Sequence, residues 1–177
     1  MRRFQLLSSL LTLFILSSAT GFGQIETPRP SPLGKIEQTI GIMKVTIEYS
    51  RPGVKGRKIF GGLVPYGQVW RTGANAATQF RTDKALRFGE VTLPAGFYSL
   101  FSIPGPSEWT LIINSETGQT GTAHKPEKDL FRIPMKVSSL PQPVERFTIG
   151  FEAGEGGGVL TLDWDSTRAS AAFTVAP

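Results

Sequence analysis

The chain has no cysteine, a single histidine and, from Tyr49 to Thr82, no acidic residue. Without cysteine it has neither disulfides nor a lipid-modified N-terminal cysteine, which fits a bacterial periplasm or exterior better than a disulfide-stapled module. One histidine, with no H-E-x-x-H motif and no acid-rich calcium loop, offers no recognisable metal site. The sequence therefore predicts neither a metal nor another cofactor.

The motifs of common catalytic sites are also missing. There is no G-x-S-x-G elbow, and a Ser–His pair would depend on His124, which lies in a polar loop where a histidine is usually solvated. Asp163 and Asp165 could pair as carboxylates beside Trp164, but solvated strand positions are the simpler interpretation. No stretch has the G-x-x-x-x-G-K-[ST] spacing of a phosphate-binding P-loop. We predict no catalytic residues, so the sequence favours a binding protein over an enzyme.

The N-terminus has the pattern of a secretory signal peptide. Arg2 and Arg3 precede an apolar stretch at residues 6–16, and Gly21-Phe22-Gly23 has the small-x-small pattern that signal peptidase recognises. The apolar stretch is too short for a comfortable transmembrane span of about 20 residues. We therefore predict cleavage before Gln24, a periplasmic or secreted protein, and no stable membrane span after cleavage.

The rest of the chain has the length of one domain. We assign residues 1–23 to the signal peptide, residues 24–34, which contain several prolines, to an extended linker, and residues 35–177 to a single domain. The formal net charge is only +5, and no nucleic-acid recognition motif is present. We therefore expect no nucleic-acid partner.

Apolar residues alternate with polar ones along much of the chain. Val45, Ile47 and Tyr49 alternate with charged or polar neighbours, as in a half-buried strand, and no window shows a sustained helical period. Residues 97–103 are apolar on both faces, which favours a central strand. The pattern predicts an all-β fold, a single antiparallel β-sandwich or flattened barrel of about nine to ten short strands. The predicted strands are residues 35–40, 42–49, 78–82, 85–88, 97–103, 109–114, 131–137, 147–151, 160–164 and 171–175.

The stretch from Tyr49 to Thr82 contains one long Gly/Pro-rich basic loop. Six cations lie in it, interleaved with aromatic residues and six glycines, which is unsuitable for a long helix or a central strand. Connections longer than about 12–15 residues are usually functional or disordered, and the aromatic residues favour order. The cations are Arg51, Lys55, Arg57, Lys58, Arg71 and Arg81. The pattern predicts an ordered cationic loop that holds a ligand.

Within this loop, the side-chain types suggest specific roles. Arginines can grip a carboxylate or phosphate with two hydrogen bonds, a lysine acts as a point charge, and a tryptophan can stack on a sugar face. The alternative is that the same arginine and tryptophan side chains anchor the loop to the core. The predicted ligand-binding residues are Arg51, Lys55, Arg57, Trp70, Arg71 and Asn75.

Four stretches resemble a bacterial family known as domain-of-unknown-function family 2911. They are YSRPGVKGRKIFGGLVPYGQVWRTGANAATQF (residues 49–80), LPAGFYSLFSIPG (93–105), EWTLIIN (108–114) and KDLFRIPMKV (128–137). The resemblance covers most of the mature chain. It implies an exported, β-rich domain, typically from Gram-negative bacteria, with no established activity to carry over.

Together these features predict an exported, non-catalytic module that binds an anionic or carbohydrate-like ligand of the cell envelope through the basic loop. Two alternatives stay open: a hydrolase that acts on an envelope polymer, and a purely structural or protein-interaction module. A deep pocket that contains a carboxylate would favour the hydrolase. An open groove with Trp70 exposed would favour binding, and a fully buried Trp70 and Arg71 would favour the structural module.

The signal-peptide assignment predicts a mature protein that begins at Gln24, because the charged start, apolar stretch and small-x-small triplet occur in the order that signal peptidase requires. Mass spectrometry of the protein purified from its native host would give this N-terminus. Recovery of a chain that retains Met1 would contradict the assignment.

Overall fold

The computed structural model of the protein describes residues 30–176. The predicted signal peptide, its cleavage site and residues 24–29 of the predicted linker lie outside these residues. Within them, no helix is both long enough and apolar enough to cross a membrane.

All the described residues with regular structure form strands, apart from a short 3-10 helix, and the strands make one nine-stranded antiparallel sheet. The strand order is β1-β2-β3-β6-β7-β8-β9-β4-β5. The sheet folds over a shared core without closing into a barrel, which confirms the predicted all-β antiparallel class. The elements are β1 Leu33–Ile40, β2 Met43–Ser50, β3 Thr78–Thr82, β4 Leu86–Phe88, β5 Val91–Leu93, β6 Gly96–Ile103, β7 Glu108–Asn114, the 3-10 helix Pro126–Lys128, β8 Asp129–Gly154 and β9 Gly157–Val175.

Strand burial follows the sequence alternation. In β2, Val45 and Ile47 are fully buried, whereas Lys44 and Glu48 on the opposite face are exposed. Strand β6 lies between β3 and β7 and is buried on both faces, as its two apolar faces predict. The reason is that Leu100 packs in the main core and Phe101 in a smaller cluster behind the sheet.

Two strands are much longer than the alternation predicts. The segments predicted at 131–137 and 147–151 are one strand, β8, and those at 160–164 and 171–175 are one strand, β9. The prolines near residue 142 shift the register of the β8–β9 pairing without ending the strand. Bulges of this kind bend a strand while its pairing continues on both sides. Because the last strand is part of β9, it lies between β8 and β4, not at an edge of the sheet.

A buried ion pair reinforces this bend. Asp165 has a φ of 53°, and Arg168 reaches across it to grip both carboxylate oxygens of Asp163, at 2.8 and 2.7 Å. Asp163 is 9% exposed, so its predicted solvated position is wrong. The alternation identified its strand correctly but gave no sign of a partner five residues later.

Two hairpins are closed by tight turns. The glycine-rich segment between β8 and β9 forms one of them, with Gly154 paired to Gly157 and Gly156 at a φ of 69°. Strand β5 was not predicted. It is only three residues long and pairs with β4 after Gly89, whose φ of 58° suits a tight hairpin.

The main core cluster is built around aromatic side chains. Trp70 stacks on Trp164 with ring centroids 5.7 Å apart and an interplanar angle of 16°, and Phe147 meets the edge of this pair. Phe60 packs on Trp109 at 4.6 Å. Trp70 and Phe60 come from the long loop, so burial of aromatic rings, each worth about 1.5–3 kcal/mol, holds the loop in place.

The second long connection, residues 115–128, is fixed by a polar cluster at the start of β8. Asp129 accepts hydrogen bonds from Asn114 and Arg132, both at 2.9 Å, and its Oδ1 lies 2.8 Å from His124 Nε2. The His124 side chain is only 12% exposed, and its ring packs against Phe101. The solvated histidine expected from the sequence is therefore wrong, because this loop folds back against β6.

This cluster predicts an acid-labile part of the fold. Burial raises the pKa of Asp129, but hydrogen bonds from Asn114, His124 and Arg132 outweigh it and hold the pKa below the ordinary value of 3.8. A carboxyl with a lowered folded pKa stabilises the protein above its unfolded pKa, and this stabilisation is lost as the pH falls through the folded pKa.

We expect Asp129→Asn to cost about 1–3 kcal/mol at pH 7 and to flatten the loss of stability below about pH 4. Urea unfolding from pH 7 to pH 2 measures both quantities. An unfolding free energy with the same acid slope in the variant and the native chain would contradict this role.

Candidate functional site

The long loop, residues 51–77, is attached to the sheet at two places. On one side it joins β8: Phe147 donates its N–H to the Pro52 carbonyl at 2.9 Å, and Val54 donates to Glu145 at 2.8 Å. On the other side it joins β6, where Trp70 and Ser102 exchange backbone hydrogen bonds of 2.7 and 2.8 Å. The segment between these attachments is thereby held over the open end of the core.

A tight turn at residues 54–57 presents the first cations. Arg57 donates its N–H to the Val54 carbonyl at 3.0 Å, and Lys55 and Gly56 have φ values of 49° and 68°. Two successive positive φ angles define a type I′ turn, which usually needs glycine or asparagine. Lys55 adopts this conformation with its N–H bonded to the Glu145 carboxylate at 3.1 Å. The turn therefore fixes the backbone at Lys55 and Arg57.

Beside this turn the loop encloses a cleft of about 320 Å³, which we call the basic cleft. The buried rings of Trp70 and Trp164 form its base. Among the described residues, three cations line it and no Asp or Glu does. The lining residues are Pro30, Ser31, Pro52, Gly53, Lys55, Arg57, Leu63, Val64, Pro65, Gln68, Val69, Trp70, Arg71, Gly73, Ala74 and Trp164.

A second depression, on the outer face of β1, β2 and β3, provides a contrast. Its volume is about 360 Å³, and it has three cations and three acids. Two of these acids are ion-paired, with Lys44 Nζ at 2.7 Å from Glu37 and Lys35 Nζ at 3.4 Å from Glu48. Arg81, the last of the six loop-region cations, lies here. The excess of positive charge in the basic cleft is therefore not repeated in this second depression.

The structure brings four of the six predicted ligand-binding residues together in the basic cleft. Lys55 is exposed, and Arg57 donates its Nε and Nη2 to the carbonyls of Val54 and Gly53 at 3.0 and 2.6 Å. Trp70 is 9% exposed and donates its Nε1 to the Gly73 carbonyl at 3.1 Å. The base of the cleft is thus part of the hydrophobic core, and the charged groups lie above it.

Arg71, the fourth of these residues, is positioned by a close contact with the second loop. A Cβ atom on Gly121 would lie 2.1 Å from Arg71 Cδ and 2.6 Å from the Asn75 carbonyl, so only glycine fits there. Gly121 also donates its N–H to that carbonyl at 3.0 Å. This contact is 50 residues away in the sequence, and no local pattern predicted it.

The other two predicted residues lie outside the lining of the cleft. Arg51 donates to the Phe147 carbonyl at 3.2 Å and to Thr148 Oγ1 at 2.9 Å. Asn75, with a φ of 60°, donates to Ser50 Oγ at 3.1 Å. The contacts of Arg51 match the anchoring role considered from the sequence as an alternative for the arginines. Asn75, for which only ligand binding was predicted, also joins the loop to a neighbouring strand.

The lining also includes residues that the sequence did not single out. Leu63, Gln68 and Val69 are exposed on its walls, and Trp164 comes from β9, almost a hundred residues away. Trp164 is 1% exposed, and its Nε1 is buried with no hydrogen-bond partner among the described residues. The wall residues could have been predicted from the sequence, because apolar residues follow the cations in the loop. The position of Trp164 in the lining could be seen only in the tertiary structure.

The sequence pattern of the family described as Protein of unknown function (DUF2911) matches residues 31–173. The chain belongs to this family. No curated protein and no solved structure matches the chain. The DUF2911 region includes both attachments of the long loop and every lining residue of the basic cleft except Pro30. The cleft is therefore built within the family domain.

The geometry predicts that anchoring and cleft cations can be separated by mutation. We expect Arg51→Ala to cost about 1–3 kcal/mol, because it leaves the Phe147 carbonyl, in the half-buried contact, without its partner. Lys55→Gln should stay within about 0.5 kcal/mol, as for other surface substitutions.

Urea unfolding of both variants beside the native chain measures these differences. Equal losses of unfolding free energy in the two variants would contradict the division between anchor and cleft.

Proposed function

We propose that the protein is an exported, non-catalytic module of the bacterial envelope that binds an anionic ligand in the basic cleft. The observation that carries the proposal is the presence of Lys55, Arg57 and Arg71 in one concave lining whose described residues include no carboxylate. Clefts lined by charge of one sign, with low-dielectric walls, concentrate the electrostatic field and attract the opposite charge.

The arrangement of Arg57 supports anion binding further. Its two hydrogen bonds to loop carbonyls fix the plane of the guanidinium before a ligand arrives. A side chain that is already ordered loses less conformational entropy on binding, and a planar guanidinium suits a carboxylate or phosphate. Lys55 adds a mobile point charge beside it.

An anion fits the cleft better than a carbohydrate that stacks on tryptophan. Trp70 packs one face against Trp164 and is 9% exposed, so it presents little ring face to the cleft. Stacking on a sugar needs an accessible face of the ring. The charged groups, not the aromatic base, are therefore the better recognition elements.

The lining is also unsuited to hydrolysis. Among the described residues that line the cleft there is no histidine, aspartate or glutamate, which are the usual general acids and bases. Glu145 binds the backbone of Lys55 and is not part of the lining. A purely structural role accounts for Arg51 and for the hydrogen bonds of Arg57 to loop carbonyls, but not for the exposed Lys55 side chain in the same lining.

Isothermal titration calorimetry with inorganic phosphate tests the proposal. We expect binding that weakens as sodium chloride rises from 50 to 300 mM, because salt screens exposed charges beyond about 10 Å. Lys55→Gln should weaken binding about threefold to fivefold, which corresponds to about 1 kcal/mol for an exposed pair.

Lys84→Gln is the matched control, since Lys84 is an exposed lysine outside the cleft. Citrate and sulfate, titrated in parallel, extend the test to carboxylate and to a second inorganic anion. If none of the three anions binds, or if both variants bind them as the native chain does, the proposal is wrong.

A further inference from the structure

Large apolar side chains are exposed at the mouth of the basic cleft. Leu63 is 47% exposed, Tyr66 44% and Val69 41%, and the three lie within seven residues of each other. Leu63 and Val69 line the cleft itself. Single exposed apolar residues are ordinary, but a group of them beside a pocket indicates a surface that is covered in the functional state. We call Leu63 and Val69 the apolar rim.

The apolar rim and the cations are parts of one small structure. Leu63 donates its N–H to the Lys58 carbonyl at 3.0 Å, and a Cβ on Gly62 would lie 2.5 Å from that same oxygen. The chain thus folds tightly back from the basic turn to the rim. Val69 is followed directly by Trp70 and Arg71, which line the base and wall. A molecule that fills the cleft would therefore contact both the cations and the apolar rim.

The base of the cleft adds a third feature. Trp164 is almost fully buried, and its Nε1 has no partner among the described residues. Burying an N–H group without an acceptor is unfavourable, so such groups are uncommon in folded proteins. Because the Nε1 atom is itself buried, it does not contact a molecule in the cleft, and the cations and the apolar rim remain the recognition elements.

We infer that the ligand is an amphiphilic anion: a phosphate or carboxylate head on Lys55, Arg57 and Arg71, joined to an apolar segment of a few carbons on the apolar rim. The inference rests on the proposed function and adds the apolar half of the ligand. The volume of about 320 Å³ is near the lower end for small-molecule sites, which favours a small free molecule over a polymer segment.

Two phosphate monoesters with the same head test the apolar half. Hexyl phosphate and methyl phosphate carry the same charge and differ only in chain length, and hexyl phosphate is used as the monomer. Burial of two or more methylenes should make hexyl phosphate bind about tenfold more tightly. Tryptophan fluorescence and calorimetry measure both affinities.

Leu63→Ser and Val69→Ser should each lower the affinity for hexyl phosphate more than the affinity for methyl phosphate, and so reduce the tenfold difference. Leu130→Ser is the matched control, because Leu130 is 46% exposed and lies outside the cleft. It should change neither affinity. Circular dichroism of each variant verifies that it is folded, and the use of two rim variants keeps the test valid if one of them is not.

The outcomes separate this inference from the function on which it rests. Equal affinities for the two esters would overturn the amphiphilic ligand but leave anion binding standing. Binding of neither ester, nor of inorganic phosphate or citrate, would overturn both. A last experiment measures binding to vesicles of phosphatidylglycerol and phosphatidylcholine. If the native chain binds the vesicles, Leu63→Ser does not, and free hexyl phosphate does not bind, this face contacts a membrane surface and the inference is overturned.

Discussion

The stacking of Trp70 on Trp164 is the contact on which the rest of the structure depends. It joins the long loop to the β8–β9 hairpin, two parts of the chain that share no extended strand pairing. With the packing of Phe147 and Phe60 around it, the loop becomes part of the core instead of a mobile connection. The same two rings form the base of the basic cleft. The core and the candidate site therefore share the same two tryptophan rings. A substitution that weakens the stacking would affect both the packing of the core and the shape of the cleft.

Because the Trp70–Trp164 stack fixes the loop, other loop residues can adopt unfavourable backbone conformations. Of the described residues other than glycine, four have a positive φ, and Lys55, Thr72 and Asn75, three of these, belong to the loop. Each costs about 1 kcal/mol or more and persists only when the surroundings determine it. Thr72 is held by Ser102 and Thr78, whereas Lys55 is held through its backbone by Glu145. The Lys55 side chain is left exposed in the cleft, which is consistent with a binding role.

The sequence alternation was enough to predict the all-β class, most strands and an ordered basic loop, because a two-residue period and the positions of glycine and proline are local properties. The alternation did not predict features that depend on contacts between residues distant in the sequence. The β8 strand continues past its prolines because β9 pairs with it on both sides of the bulges. The role of Arg51 depends on Phe147, 96 residues later, and the position of Arg71 depends on Gly121. The six candidates could therefore be identified by residue type, but not divided between anchor and cleft.

Charge is distributed unevenly between the outer face of the sheet and the basic cleft. On the outer face of the sheet each cation has an acid available, and ion pairs form there. In the basic cleft three cations line one small space whose described residues include no acid, so their like charges repel one another. A bound anion would relieve this repulsion and cover the apolar rim in the same event. Because a ligand that binds only the folded state stabilises it by mass action, occupancy of the cleft and stability of the loop would rise together.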